Sequence, residues 1–407
     1  MVHARPEGRR LTLELRVVRR IKDIPRESWD ALLREGSSPF VEHTWLDCLE
    51  EAKCVGEASG WIPRHLALYE TSSQTSRGEE LIAAAPAYAK MNSEGEFVFD
   101  WSWADLANRM GVEYYPKLVL AVPFTPATGD RVLVHPKRDR HETIAVFAQA
   151  LRTLVKELEL SSAHVLFPRE EEARVWGESG FMVRHGVQYH WSNRGSDGAG
   201  GATTEPFKDY EDFLTTLPTK KRTQLRRERK QPAMDGVEIA TLRPEEYTPA
   251  MADTMYALYT TTVDKYFYGR RYMKKRFFEL LVERFRDRLS WVVARKDGEV
   301  VASAFNVKKD GIIYGRYWGT HVDMPFLHFN VCYYHGVEQA IREGCTLFNP
   351  GAGGEHKKVR GFFPTITYSA HHIENPRFSG VIESFLERER RGIAAYVAEE
   401  RAATAKG

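Results

Sequence analysis

Cysteine is scarce in this chain, with four among 407 residues. Cys48, Cys54, Cys332 and Cys345 show neither the paired spacing of a metal site nor the density of a disulfide framework. Long apolar runs are also missing. The longest uncharged one, Leu81–Ala89, falls well short of the roughly 20 residues of a membrane helix. The opening MVHARPEGRR is not followed by an apolar segment, because Glu14 and Arg16 interrupt the next stretch, so no cleaved signal is expected and the cytoplasm fits. Net charge is nearly absent, at +2, so attraction to nucleic acid must come from local clusters rather than the whole-molecule field. No nucleophile elbow, zinc signature or paired-carboxylate pattern appears, which leaves covalent and metal-assisted catalysis without sequence support.

Apolar residues at 43% and charged residues at 28% describe a globular protein, and the length predicts two domains. The two halves repeat one order of elements. In the first, strands are predicted at Leu11–Val18, His65–Glu70, Leu81–Lys90 and Ala163–Phe167, with helices around Glu27–Glu35, His43–Ala52 and His141–Leu158. In the second, strands are predicted at Val237–Leu242, Trp291–Arg295, Val300–Lys308, Ile312–Trp318 and Thr346–Phe348. Helices are predicted there at Tyr247–Asp264, Tyr272–Phe285 and Pro325–Glu343. Asp297-Gly298 and Asp310-Gly311 are the dipeptides of tight antiparallel hairpins. Phe326, Phe329, Tyr333, Val337 and Ile341 recur at spacings of three or four, which predicts one continuous helical face. Phe97–Leu133 reads as an aromatic insertion without counterpart. Val381–Ala403 reads as an amphipathic helix with Ile382, Phe385, Ile393 and Val397 inward and Glu387–Arg391 outward.

Two segments concentrate charge. Lys220–Lys230, KKRTQLRRERK, holds seven cations, Lys220, Lys221, Arg222, Arg226, Arg227, Arg229 and Lys230, against one acid. On a helix, Arg222, Arg226 and Arg229 would share a face and follow an RNA backbone. The loop Asn349–Gly361, NPGAGGEHKKVRG, presents the amides of Gly351, Gly353 and Gly354 beside His356, Lys357, Lys358 and Arg360. That is the composition of an anion nest, and it predicts a phosphate of donor or acceptor there. It fits neither a Walker loop nor a dinucleotide fingerprint. Glu355, among these cations, stays ionised and is a candidate base. His321 and Asp323 stand at a strand–helix junction, His321 as second candidate base and Asp323 as a substrate contact or helix cap.

Four stretches carry a family resemblance: EYYPKLVLAVPFTPATGDRVL, KKRTQLRRERK, YGRYWGTHVDMPFLHFNVCYYHGVEQAIREG and FNPGAGGEHKKVRGFFPTITYSAHH. With them the chain resembles the FemAB-like proteins of peptidoglycan biosynthesis/recognition, in the GNAT acyltransferase superfamily. The resemblance implies a mixed α/β (α+β) fold of two tandem GNAT-like domains, each a largely antiparallel sheet flanked by helices. The expected divisions are 1–195, a glycine-rich linker at 196–206, 207–380, and a terminal helix over 381–407. It also implies an acyltransferase that forms an amide on an amine without a covalent intermediate, most plainly with aminoacyl-tRNA as co-substrate and a small-molecule or peptide amine as acceptor. An acyl-CoA donor and a non-catalytic module binding peptidoglycan fragments or RNA are the alternatives. No permanently bound cofactor or metal is implied. Tyr314 becomes a candidate oxyanion donor and Arg316 a substrate contact. The chain departs from its relatives in lacking a long heptad segment for tRNA and a GNAT pyrophosphate loop, for which Arg295-Lys296-Asp297-Gly298 is the nearest match.

Overall fold

The structure, a computed structural model, describes residues 11–72, 79–193, 205–265 and 270–405. Among these described residues the strands are β1 Leu11–Val18, β2 Trp61–Pro63, β3 His65–Ser72, β4 Glu80–Ala85, β5 Ala87–Lys90, β6 Lys117–Leu120, β7 Leu133–Val134, β8 Ser162–Leu166, β9 Met182–Ser192, β10 Val237–Thr241, β11 Val292–Lys296, β12 Glu299–Lys309, β13 Ile312–Thr320, β14 Leu347–Asn349 and β15 Phe363–Ile373. The helices are α1 Arg26–Asp30, α2 His43–Glu51, α3 Trp101–Arg109, α4 Arg140–Glu157, α5 Glu170–Glu178, α6 Tyr210–Leu214, α7 Thr219–Met234, α8 Pro249–Val263, α9 Lys275–Arg284, α10 Leu327–Phe329, α11 His335–Arg342 and α12 Pro376–Ala405. The fold is the expected mixed α/β, with largely antiparallel sheets and flanking helices.

One sheet has four strands in the order β1-β3-β4-β7, and the other has eleven in the order β10-β11-β12-β13-β14-β9-β15-β8-β6-β5-β2. The centre of the large sheet is a palindrome. β13 and β14 are parallel, β6 and β8 are parallel, and the antiparallel pair β9–β15 lies between them. That pair is shared. β9, from the first half, pairs with β14 of the second, and β15, from the second, pairs with β8 of the first. The boundary expected at residue 195 therefore divides the sequence but not the sheet. Cores merge as well: Phe40 meets Tyr314 edge-on at 5.2 Å, and Trp45 meets Phe277 at 5.2 Å.

Several local expectations change. Pro86 offers no N–H to a ladder, so the strand expected over Leu81–Lys90 breaks into β4 and β5, which enter different sheets. The segment 97–133 is no appendage, since β6 within it is an interior strand of the large sheet. Both Asp-Gly hairpins form, with Asp297 at φ 51°, Gly298 at 85°, Asp310 at 47° and Gly311 at 72°, the signs of type I′ turns. The helix expected over Pro325–Glu343 begins later, after Phe326 at φ 62°, and between α10 and α11 it widens into a π turn at Asn330–Tyr334. Asn330 Nδ2 donates to Phe326 O at 3.0 Å and to Glu228 O at 2.8 Å, which ties the widened turn to α7. On α12, Ile382 and Val397 are buried as expected. Phe385 is 38% exposed, while the next residue, Leu386, is fully buried in its place. The expected linker at 196–206 lies, apart from its last two residues, outside the described residues.

Candidate active site

The palindrome leaves an opening in the second half. β13 and β14 pair over Ile312–Leu347, Ile313–Phe348 and Tyr314–Asn349. β14 then ends, while β13 continues to Thr320. Just beyond, two backbones come into contact. A Cβ on Gly315 would stand 3.1 Å from Pro350 Cα, and one on Gly351, at φ 87°, 3.0 Å from Gly315 O. A side chain at either position would press on the facing backbone, and Gly351 also has the left-handed φ that favours glycine. Gly351 N–H donates to Asn349 Oδ1 at 3.0 Å. Asn306, at a register shift in β12, reaches the same place: its Oδ1 is 3.4 Å from where a Gly315 Cβ would be, and its Nδ2 is buried without a protein partner. A buried unpaired amide is costly and marks a place where a ligand or water completes the bonding. Asn306 and Asn349 carry no motif, so sequence reasoning passed over them.

The glycine loop holds its shape with its own cations. Lys357, 2% exposed, donates from Nζ to Gly351 O at 2.8 Å and Ala352 O at 3.3 Å. Burial pushes its pKa down to about 8. Arg360, 4% exposed, donates to Tyr334 Oη at 2.9 Å, His356 O at 2.8 Å and Glu228 Oε2 at 2.9 Å, with its guanidinium 3.4 Å above the Phe329 ring. Lys358 pairs with Glu400 on α12. The expected anion nest is thus corrected: the three loop cations bond to the protein itself, Lys357 and Arg360 because a buried cation must find partners when water is excluded, and the partly exposed Lys358 through Glu400. The free amides and His356 remain on the outer side. His356 Nε2 lies 3.0 Å from Tyr333 Oη, and partial burial, then Arg360 and Lys357, hold its pKa below the usual value. His328 packs at 4.6 Å against Trp318 with the rings tilted, and burial presses its pKa to about 4.

Glu355 is exposed at the first turn of Glu355–Arg360. His321 and Asp323 are exposed beyond β13, and no side chain caps α10, so Asp323 is not its cap. Tyr314 and Arg316 point elsewhere than expected. Tyr314 is 5% exposed against Phe40, and burial raises its pKa to about 12. Arg316 donates to Phe124 O, its guanidinium 5.6 Å from the rings of both Phe40 and Tyr317, and burial lowers its pKa. Both residues join the halves.

Beside the loop, a cavity of about 270 Å³ lies against β9 and β15, lined among others by Phe97, Phe99, Phe167, Gly186, Ser369 and Gly353. Phe97, Phe99 and Phe167 have φ of 61°, 55° and 56°. Non-glycine residues seldom adopt such angles, and strain of this kind gathers at functional sites. Arg184 and Glu389 close one wall with bonds of 2.8 and 2.9 Å.

The basic run forms α7, but its arginines divide. Arg226 pairs with Glu211 and Arg229 turns inward to Glu338. Arg222 donates to Thr219 Oγ1 at 2.9 Å. The expected face of Arg222, Arg226 and Arg229 is replaced by an exposed one of Lys220, Arg227 and Lys230. These three and Lys221 make no ion pair among the described residues. Burial pushes the Cys48 thiol up to about 12 and Cys54 to about 11, and raises Cys332 and Cys345, so no thiolate nucleophile is available at neutral pH. Among the described residues no three His, Cys, Asp or Glu side chains converge as metal ligands would, and no helix is long and apolar enough to cross a membrane.

The family model for FemAB-like proteins, described as peptidoglycan biosynthesis/recognition, matches residues 20–405. The chain belongs to the FemAB-like family. No curated protein matches it significantly. Among solved structures, it is similar to FemX at 12% identity, covering 88% of this chain and 98% of that one, with a TM-score of 0.49. It is also similar to L-PGS from Bacillus licheniformis at 11% identity, 88% and 99% coverage and a TM-score of 0.49. A tandem GNAT protein from the clavulanic acid biosynthesis pathway shares 13% identity over 90% and 99% of the two chains, with a TM-score of 0.43. Likenesses this distant transfer neither substrates nor residue roles.

Proposed function

We propose that this FemAB-like chain, an acyltransferase by family, transfers an aminoacyl group from aminoacyl-tRNA to an amine at the opening between β13 and β14. The observation that supports this reading is the opening itself: among the described residues β13 runs on past Asn349 without a strand partner on that side, beside the close backbone approach at Gly315 and Gly351. Amides on an uncovered strand edge are preorganised donors for a developing oxyanion, each worth roughly 10²–10³ in rate. Asn306 Nδ2 is a further donor at the same place.

Attack is direct, in keeping with four protonated thiols. His356 serves as base: its imidazole is neutral at pH 7 and is fixed by Tyr333. Glu355, exposed on the same turn, attracts and orients the ammonium form of the acceptor, with His321 and Asp323 at the rim. An α-amino acceptor has a pKa of about 8 and needs little help, whereas a lysine-type amine, near 10.4, is neutral in only about one molecule in a thousand at pH 7. Lys220, Arg227 and Lys230 on α7 supply the phosphate contacts for tRNA. A coenzyme A donor is the second reading, favoured by the free amides of Gly353 and Gly354 at positive φ (71° and 86°).

The test is incubation with labelled aminoacyl-tRNA or acetyl-CoA and a panel of amines. Product from aminoacyl-tRNA that ribonuclease pretreatment abolishes supports the tRNA reading. Product from acetyl-CoA alone replaces it with the second, and an unchanged rate in His356→Asn removes the base.

A further inference from the structure

Five buried or half-buried side chains outside this machinery make a continuous line across the seam between β8 of the first half and β15 of the second. His164 on β8 and His371 on β15 are register partners, and their Nδ1 atoms lie 2.7 Å apart. His371 Nε2 is 2.8 Å from Ser369 Oγ, and His164 Nε2 is 2.8 Å from Ser162 Oγ. Ser162 Oγ is 3.0 Å from Ser161 Oγ, which donates to the Tyr114 carbonyl at 2.6 Å. Ser162, His164, Ser369 and His371 are 0, 1, 3 and 1% exposed.

The terminal carbonyl fixes every proton. Tyr114 O only accepts, so the Ser161 hydroxyl proton is spent on it, and the Ser161–Ser162 bond must carry the proton of Ser162. His164 then donates from Nε2 to Ser162. Each ring is neutral, since burial presses His164 to about 3 and His371 well below its ordinary value. His164 Nδ1 is therefore bare and accepts from His371 Nδ1–H, which leaves His371 Nε2 to accept from Ser369. All donors point one way. The charged or titratable groups facing the pair are Lys117 on β6, Asp100 before α3, Arg184 on β9 and His372 on β15. Lys117 is in turn held by Asp100 and Glu96 at 2.5 and 2.9 Å.

The two ends open on different cavities. Ser369 lines the one that reaches Gly353. Ser161 and Ser162 line a second, of about 260 Å³, with Tyr114 and Phe378. A hydrogen-bonded pair that served only to lock two strands would have no need of a polar terminus in each cavity.

We propose that Ser369, His371, His164, Ser162 and Ser161 form a proton relay between these cavities. Its role in catalysis rests on the acyl-transfer reading. Attack forms the N–C bond and leaves a positively charged nitrogen in the tetrahedral adduct. His356 has already taken one proton from the ammonium form to free the amine for attack; the adduct nitrogen gives its second to Ser369 Oγ, each donor along the line passes its own proton on, and Ser161 or Ser162 releases one to water in the second cavity. When the C–O bond to the donor breaks, the reverse shift returns a proton to the leaving oxygen. The imidazoles thereby regain their starting tautomers, so the cycle leaves no net charge on the relay.

The experiment uses the full-length protein labelled with ¹⁵N-histidine. The expected spectrum shows His371 as the Nδ1–H tautomer, His164 as the Nε2–H tautomer, and nitrogen–nitrogen coupling across one shared proton. Transfer to D₂O then exchanges that proton, and Ser162→Ala combined with Ser369→Ala slows the exchange at least tenfold. An imidazolium at pH 7, the opposite tautomers, or unchanged exchange in the double variant would overturn the relay. Ser161→Ala, at the rim, gives the same reading through a variant that disturbs packing less, and slowed exchange is expected there too. With substrates, the double variant is expected to lose the solvent deuterium effect on turnover, and an unaltered effect counts against the relay. Absence of any product from the unaltered protein would sink the acyl-transfer reading while the exchange results stood.

Discussion

Removing the charge of Glu228 tests whether the glycine loop is held from within. Glu228 and Arg360 are 3 and 4% exposed at their side chains, with Nη2 and Oε2 2.9 Å apart. Tyr334 bridges them, donating to Glu228 and accepting from Arg360 Nε at 2.9 Å. In Glu228→Gln the bridge keeps a hydrogen-bond acceptor, but the buried guanidinium loses its counter-charge. Breaking one side of a buried pair costs about 3–5 kcal/mol, and the retained acceptor places this variant near the lower figure. Replacing both partners, as Glu228→Gln with Arg360→Met, removes the stranded charge, so the double variant should cost less than the sum by about 1–3 kcal/mol. Urea unfolding measures the three differences, and amide exchange should show protection lost in α7 and residues 350–361 first. A cost below about 1 kcal/mol in Glu228→Gln, or strict additivity, would refute the reasoning. The pH dependence has a definite sign. Burial pushes the Glu228 carboxyl up, but the bonds from Tyr334 and Gln224 and the nearby Arg360 outweigh it and hold the pKa below normal. The contribution is therefore complete above the unfolded value of about 4.3 and lost as pH falls through the native one. The unaltered protein should lose more stability than Glu228→Gln on acidification below about pH 4.

Gly319→Ala places a Cβ 1.8 Å from Leu258 O and 2.3 Å from its carbonyl carbon. Backbone on α8 must move, so thermal unfolding should reveal a loss of at least about 1–3 kcal/mol. Reversing Lys220, Arg227 and Lys230 to glutamate should weaken tRNA binding and flatten its salt dependence by about three contacts. Arg226→Ala should change that slope little, since Glu211 already holds its side chain; equal slopes for all these variants would remove α7 from the interface. His356→Asn should lower kcat by about 10²–10⁴ with a smaller change in KM, and full activity would reassign the base. His321→Asn, at the exposed rim, should shift KM more than kcat.

Much of the fold is legible in the chain because the signals are local. Asp297-Gly298 and Asp310-Gly311 demand positive φ twice in succession, and the alternating strands around them leave one way to pair. β9 and β15 were not legible. MVRHGVQYHWS and FPTITYSAHHI mix histidine, glycine and hydroxyl residues because both faces of these shared strands are covered and partly polar, so the period-two contrast that marks a strand is absent. The backbone of the glycine loop was legible and the partners of its cations were not. Gly351 and Gly354 have φ of 87° and 86°, Gly351 against the backbone of β13 and Gly354 against the His356 ring. The partners of Arg360, by contrast, come from Glu228 on α7 and Tyr334 in the π turn, and no spacing within the loop reveals a partner over a hundred positions distant.

The shared strands also constrain how the site is built. A single β9–β15 pair serves both parallel pairs, so neither half completes its sheet alone. The parallel pairs β13–β14 and β6–β8 are consequently held in one frame. In the first half, β6 is followed by Ala121–Arg131, from which Phe124 accepts from Arg316 and stacks on Tyr272 at 4.7 Å. That segment supports β13 beside the opening. The arrangement assigns the halves unequal tasks: the second keeps an open strand edge with glycine amides beside it, the first lends the bracing loop, and the two share the buried histidine line. Loosening Phe124 should therefore disturb the distant opening more than the first half's own core, because its ring and carbonyl contact Tyr272, Arg316 and Tyr317 across the seam.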